Sequence, residues 1–504
     1  MSAAAGVQPR GREIATSRWP LLAIVALAAV LRLATLGSQS LWFDEAFTAV
    51  HTLHPSLTAT LSSMVHTENS PFLWYVLEWL DYRALGMSEV ALRLPSAIAG
   101  IATVPFAWGV GRELAGRRAA IVCALLVAVG PLFVWYSQEA RVYALYALLA
   151  AVATYCFLRL LRLADRRAAI YFTVSAALCL MTHYFAVFLL APMCVWLIVD
   201  RRMRRFALPV VGVIVLVGLA LIPLVHAQGG HFTQWIGRWP LAERTLAVAQ
   251  YWLLGESGAP LGHAVELLVA LPVLIGTVLW LARALRRPPA VPAGEIRGAL
   301  TALAICAPAI LVPILLAAVG IDYLTPRNLI GAMIPFTGLV AVMLGSASTG
   351  AAGVACAAGA VIAMLAVTLD VNVNHRLQRG DWRGLAAALP ADPATRAITA
   401  AHLATTPLQY YLPQLHVLPS GHEVDVSEID EVGYAPIRPG ARTPPAPGFS
   451  YVGAVDAHGM IAYRFRAPSP RPVPVSALLA HPLMPPEQGE AAEVLVSPRV
   501  RTGG

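Results

Sequence analysis

The chain contains no lysine, so all 36 of its basic residues are arginine. That excludes Schiff-base and other amine chemistry and leaves planar cations suited to gripping phosphate or carboxylate groups bidentately. Charge of either sign is scarce: 13% of residues are charged against 58% hydrophobic, which excludes a soluble globular chain and a disordered one. The six cysteines, Cys123, Cys156, Cys179, Cys194, Cys306 and Cys356, all fall inside apolar runs without a CxxC spacing. They read as small core hydrophobes, and no disulfide framework holds any part of the chain. No internal repeat of fixed period is present. The net charge of +8 could suggest nucleic acid, but the arginines sit in short clusters between apolar runs rather than along one surface, so they report topology and no nucleic-acid partner.

What is present is a series of apolar runs long enough to cross a bilayer, beginning with 19–36, which reads as a retained first helix rather than a cleaved signal. Five arginine clusters punctuate the series: Arg10/Arg12/Arg18, Arg112/Arg117/Arg118, Arg159/Arg162/Arg166/Arg167, Arg201/Arg202/Arg204/Arg205, and Arg283/Arg286/Arg287 with Arg297. Placing all five in the cytoplasm requires an even number of crossings between neighbours. The path that satisfies this has about eleven crossings of ~20 residues, with the N-terminus (1–18) inside and the C-terminus outside. Parity leaves no room for a crossing at 71–85, which is short and aromatic and reads as a helix lying in the outer interface. The stretch 168–199 must hold two short spans that turn near Thr182-His183-Tyr184.

The expected fold is therefore mainly α: a polytopic membrane helix bundle spanning 19–369, with outer loops 37–90 and 226–262. A small C-terminal extracytoplasmic α/β domain follows at 370–466. It holds a strand at 395–401, a short helix at 407–412, and a hairpin of 451–455 with 460–466 turning at Asp456-Ala457-His458-Gly459. The proline-rich tail 467–504 shows little periodicity and reads as disordered. The whole is a multi-pass protein of the plasma (inner) membrane.

Every acidic motif of interest falls on the outer side. Asp44 and Glu45, in Ser40-Leu41-Trp42-Phe43-Asp44-Glu45, follow the first span directly, where two adjacent carboxylates are costly unless they face water, a partner or a substrate. A partly desolvated carboxylate there makes a competent general base; the alternative is a solvated pair capping the next helix. His66 and Glu68, in His66-Thr67-Glu68-Asn69-Ser70-Pro71, could bind a divalent cation or sugar hydroxyls, and a plain polar turn fits equally well. Glu139 and Arg141, in Ser137-Gln138-Glu139-Ala140-Arg141-Val142-Tyr143, form either a local ion pair or a phosphate clamp. His183 caps the short hairpin, where a lone histidine is more often structural than a ligand. Arg327, in Thr325-Pro326-Arg327-Asn328, stands at another outer helix start, as a headgroup contact or a phosphate ligand.

Taken together these stretches resemble the GT-C class of membrane glycosyltransferases, specifically the bacterial family-39-like group related to protein O-mannosyltransferases and lipid A aminoarabinose transferases. The matching segments are Leu41–Ala46, Asn69–Tyr75, Leu92–Ser96, Ser137–Leu145, Thr182–Tyr184 and Pro326–Leu329, in family order over roughly residues 20–385. The resemblance implies a polyprenyl-phosphate-linked sugar donor and transfer on the extracytoplasmic face to a glycan, lipid or protein acceptor. It also implies that the acidic residue of the first outer loop is the catalytic base, a role that maps onto Asp44 with Glu45 as neighbour. Glu139 joins the catalytic set, and His66, Glu68, Arg141, Tyr143, His183 and Arg327 the substrate-binding one, with Glu68 the candidate metal ligand. The chain departs from the family pattern in having Asn69-Ser70-Pro71 where a histidine or lysine usually precedes two prolines, and Tyr143 where some relatives carry an acid. On this reading the acceptor attacks the anomeric carbon with inversion while Asp44 takes its proton. The rival reading is a transporter or flippase of lipid-linked sugars. Transporters place charges near the midplane on repeat-related helices, whereas here the charges gather at one membrane face.

Overall fold

A computed structural model describes residues 18–229, 233, 235–286, 288–389, 396–435, 437–484, 492–497 and 502–503; the expected cytoplasmic N-terminus lies almost entirely outside them. The chain begins with α1 (Trp19–Leu33), then the short α2 (Phe43–Phe47), α3 (Leu57–Thr67) and α4 (Leu73–Leu85). The long α5 (Glu89–Ala115) turns at Gly116 into α6 (Arg117–Val129) and α7 (Pro131–Ser137). Then come α8 (Tyr143–Leu163), α9 (Arg166–Leu180), α10 (Ala186–Val199), α11 (Arg204–Gln228), α12 (Leu241–Gly258), α13 (His263–Ala284), α14 (Ala293–Ala318), α15 (Ile330–Gly345) and α16 (Gly350–Val373). Seven of these are long and apolar enough to cross a membrane, and the bent pair α6–α7 makes an eighth. α1 and α10 are shorter apolar helices. With α9, which has 15 residues, these are the eleven segments that arginine parity assigns to crossings, and the protein is multi-pass. Helix α4 occupies the predicted interface segment, and its first N–H donates to the Met181 carbonyl at the end of α9 at 3.1 Å.

The 52° bend between α6 and α7 has a chemical cause and a chemical remedy. Pro131 has no N–H to offer the Val127 carbonyl four residues back, so the helix breaks there. Buried Arg32 of α1 supplies the missing donors, to Val127 O at 3.0 Å and Ala128 O at 2.9 Å, and Thr368 of α16 donates to Val129 O at 2.8 Å. A charge and a hydroxyl inside the bundle thereby satisfy the backbone that a break leaves bare. Where α15 crosses α8, Gly331 lies against Tyr146: a Cβ there would stand 2.3 Å from the ring.

The C-terminal region comprises α17 (Trp382–Ala388), β1 (Arg396–Ala401), α18 (His402–Tyr411), β2 (His416–Leu418), β3 (Glu423–Tyr434), β4 (Ser450–Ala457), β5 (Met460–Pro474), α19 (Val475–Leu479), β6 (Ala492–Val496) and β7 (Thr502–Gly503). The sheet order is β2-β6-β1-β3-β5-β4, with β7 on β3; β1 and β3 run parallel and the other pairs antiparallel. One face carries α17 and α18 through Trp382, Leu385, Ala404 and Leu408. The other packs Val426, Phe449, Phe465 and Leu478.

The segment 226–262, expected as an outer loop, carries α12. Two expectations need correction. The tail beyond 466 is not disordered over its described residues: β5 runs on to Pro474, pairing with β3, and β6 lies between β2 and β1. Prolines 472 and 474 fall opposite one end of β3, and Val494, Leu495 and Val496 are fully buried, so a proline-rich composition masked an apolar central strand. The domain accordingly extends well past 466 and includes β3, which the alternation of charges in Glu423–Tyr434 hid.

Candidate active site

Loop 36–45 leads from α1 into α2, and Glu45 fastens it. The carboxylate accepts from Arg93 Nε and Nη2 of α5, both at 2.7 Å, and from the Ala140 N–H at 2.8 Å. Arg379 Nη1 lies 3.5 Å away. Arg93 spends its remaining donors on the carbonyls of Leu36, Gln39 and Ser40. Burial pushes the Glu45 carboxyl up, but Arg93 and Arg379 outweigh it and the group sits below the usual carboxylate range. Glu45 is thus a fully buried strut with no lone pair free for a substrate proton, which corrects its placement among the catalytic residues.

Asp44, one residue earlier, is in the opposite condition. Its side chain is part-exposed and pairs with Arg327 Nη1 at 3.3 Å. Arg327 comes from the 3-10 turn Pro326–Leu329 ahead of α15 and is boxed by aromatic rings, Trp42, Tyr143 and Trp235, at 5.5–5.7 Å. Arg141 approaches from the turn before α8: Nη1 donates to the Asp44 carbonyl at 3.3 Å, Thr48 Oγ1 at 2.8 Å and Glu68 Oε2 at 2.9 Å. Its Nε is buried without a partner, an unused donor on a fixed cation.

Glu68 also accepts from Thr48, Thr52 and Tyr75, at 2.7, 3.0 and 3.0 Å. Four donors occupy its lone pairs, so its task is to hold Arg141, not a cation. His66 is exposed at the end of α3 and does not converge with it. Among the described residues no group of three or more His, Cys, Asp or Glu is arranged to hold a metal ion. The four donors leave Glu68 no lone pair for the expected metal ion, and His66 stands apart from that hydrogen-bond network.

His183 does join the site. It stacks on Tyr146 (4.8 Å, 13°) and lies 5.9 Å from the Tyr143 ring, while its Nδ1 accepts from the Phe185 N–H at 3.2 Å. Burial, with the charges of Arg327 and Arg141, pulls it down to about 3, so it is a neutral wall at physiological pH. Glu139 pairs with Arg379 at 2.6 Å, yet its Oε1 is buried without a partner. Burial pushes it up to about 8 against the pull of Arg379.

Two groups at the site were not singled out from sequence. Glu256 accepts from Tyr136 at 2.6 Å; it is aimed inward by Gly255, whose φ of 72° breaks α12 and whose missing Cβ leaves room for Pro131. Arg379 stacks on Trp135 at 4.2 Å besides bridging Glu139 and Glu45. A topological signal was available for it: an arginine beyond the last crossing, on the outer side, lacks the topological reason for being basic. The site also opens beside Trp42 and Phe43 into a groove of about 800 Å³ whose far wall is the C-terminal region, including Trp382, Tyr434 and His458.

A family model described as dolichyl-phosphate-mannose-protein mannosyltransferase matches residues 68–226, which includes Glu68, Arg93, Glu139, Arg141 and His183. Among solved structures the chain is similar to ArnT from Cupriavidus metallidurans bound to undecaprenyl phosphate, with a TM-score of 0.56 at 14% identity over 89% of this chain and 98% of that one. That likeness shows the fold: this chain is folded as ArnT is. The oligosaccharyltransferase of Archaeoglobus fulgidus is a weaker likeness, with a TM-score of 0.43 at 14% identity over 73% of this chain and 54% of that one. No curated protein matches the chain in sequence.

Proposed function

We propose that this protein transfers a sugar from a polyprenyl-phosphate donor to an acceptor on the extracytoplasmic face of the plasma membrane, with inversion at the anomeric carbon and Asp44 as general base. The observation that carries the reading is the contrast at one step of chain: Glu45 is saturated by fixed donors, while Asp44, next to Phe43 of the groove lining, presents a part-exposed carboxylate to Arg327 and its backbone carbonyl to Arg141. The GT-C fold and its likeness to a protein bound to undecaprenyl phosphate support the donor class.

In the proposed step an acceptor oxygen or nitrogen attacks the anomeric carbon from the groove as its proton passes to Asp44. The anomeric carbon–oxygen bond breaks with its electron pair leaving on the lipid phosphate. A phosphate leaves as a stable anion, so the step needs cations to receive it rather than an acid to protonate it. Arg327 and the unpartnered Nε of Arg141 supply them in a setting where low dielectric strengthens the attraction. Glu68 and Glu45 are positioning residues, fixing Arg141 and loop 36–45; Tyr143 and His183 form the wall behind Arg327. Glu139 orients Arg379 at the edge of the C-terminal region, which shapes the acceptor side of the groove.

General-base assistance is worth roughly 10²–10⁴-fold in rate, so Asp44→Asn should lose that much transfer while still binding the glycolipid. Consumption of a panel of polyprenyl-phosphate sugars by the purified protein measures it. Turnover near that of the unmodified protein would remove Asp44 from the base role.

A further inference from the structure

At the other end of α5 and α8 a second groove, of about 690 Å³, opens between α5, the start of α6 and α8. Helix α5 rises 1.5 Å per residue, which places Arg112 about 28 Å from Arg93, roughly the thickness of a hydrocarbon core. The groove therefore lies at the membrane boundary opposite the Asp44 site. Its rim carries Arg112 and Arg117 from the α5–α6 turn and Arg159 and Arg162 from α8. One carboxylate lines it, Glu113, paired with Arg162 at 2.9 Å. Arg159 donates to the Tyr155 hydroxyl at 3.3 Å and lies over the face of the same ring. Among the described residues lining the groove, four guanidinium groups face one carboxylate, an excess of three positive charges.

The floor is apolar and aromatic. Phe106 meets Tyr155 edge-on at 6.1 Å, and Trp108 lies alongside. Gly109 permits this, since a Cβ there would stand 2.7 Å from the Tyr155 ring. Gly116, at φ 86°, turns the chain sharply into α6 with nothing near the place of its missing Cβ, which keeps the rim open. The positive-inside rule accounts for arginines in a connecting turn, but it requires neither a cavity nor an aromatic floor beneath them.

We propose that this groove is a binding site for an anionic phospholipid, its phosphates held by the arginine rim and its glycerol and first acyl methylenes on Phe106, Trp108 and Tyr155. Basic pockets between membrane helices hold such headgroups, and an excess of three positive charges suits a headgroup with two phosphates better than one with a single phosphate. A free phosphate or pyrophosphate would use the rim and gain nothing from the floor, which separates the two sources of the same chemistry.

The test uses the full-length protein in nanodiscs of zwitterionic lipid, titrated with cardiolipin and, separately, with inorganic pyrophosphate, and native mass spectrometry to count bound molecules. One cardiolipin should bind in preference to the zwitterionic lipid. Arg112→Gln with Arg117→Gln should weaken it at least tenfold, whereas the charge-matched pair Arg201→Gln with Arg204→Gln, exposed at the same end of the bundle but outside the groove, should leave it unchanged. Trp108→Ala, which keeps every charge, should weaken cardiolipin several-fold and not pyrophosphate. Equal losses in the two arginine pairs would reduce the effect to bulk charge and overturn the site. Pyrophosphate binding as tight as that of cardiolipin, with Trp108→Ala silent toward both, would overturn the lipid.

Discussion

The two ends of the helix bundle use the same side chain in opposite states. At the Asp44 end the arginines are desolvated and matched to carboxylates: Arg93 to Glu45, Arg141 to Glu68, Arg244 to Asp322, Arg327 to Asp44 and Arg379 to Glu139. At the other end Arg112, Arg117, Arg118, Arg166 and Arg167 are exposed, and Arg162, which does have a partner, is 60% exposed. A guanidinium in water costs little and contributes little, whereas a buried one must be answered by fixed acceptors. The first arrangement reports how the chain sits in the membrane. The second builds geometry, and it leaves Asp44, the Nε of Arg141 and the Oε1 of Glu139 incompletely used.

Breaking the buried side of that contrast should have the largest effect. Arg93→Ala strands Glu45 in a dry setting and releases the carbonyls of loop 36–45, for a cost of about 3–5 kcal/mol; thermal unfolding in detergent should show the loss, and an unshifted transition would mean that Glu45 is not the strut described. Arg379→Ala comes next, removing a charged hydrogen bond worth roughly 1.5–3 kcal/mol and the Trp135 stack. Transfer should fall about 10- to 100-fold with donor binding retained, and Arg379→Lys, lacking the planar fork, should recover it only in part.

A smaller effect should come from Glu139→Gln. The folded carboxyl titrates at about 8, above the ordinary carboxylate range, so the folded state holds a proton that the unfolded chain has released. That contribution to stability is complete below the ordinary carboxylate pKa and is lost as pH rises through about 8. The amide keeps the neutral form, so the variant's melting temperature should fall less than the parent's between about pH 6 and 9; parallel curves would assign the slope elsewhere. The least effect is expected at the exposed end, where Arg162→Gln breaks a largely solvated pair worth about 0–1 kcal/mol before screening and should leave the melting temperature within error.

Much of this was legible in the chain itself, for a physical reason: arginine clusters and apolar run lengths act locally. They place the crossings, the interface helix α4, the turn at His183 and the hairpin of β4 and β5. Asp44, Arg141, Tyr143, His183 and Arg327 were also legible as a set, because charge at a membrane boundary is conspicuous, and the structure does bring them together. The roles of Glu45 and Glu68 were not. Which carboxylate is saturated depends on partners 48 residues away at Arg93 and 73 at Arg141, and composition carries no trace of that. Arg379 meets Glu139 across 240 residues, and Glu256 meets Tyr136 across 120. Strand β6 escaped notice because its short apolar run sits in a stretch whose prolines suggest disorder.

The position of β6 also constrains how the protein is made. Strands β1 and β2 touch the same ribbon of residues 492–496 and have no pairing with each other, so the sheet cannot close until residues 492–496 have been made. Bundle helices can enter the bilayer one pair after another as the ribosome works, but the C-terminal sheet waits with two bare strand edges. A nascent chain stalled before residue 492 would therefore be a ready target for proteases and for edge-to-edge aggregation, although its helix bundle was already assembled.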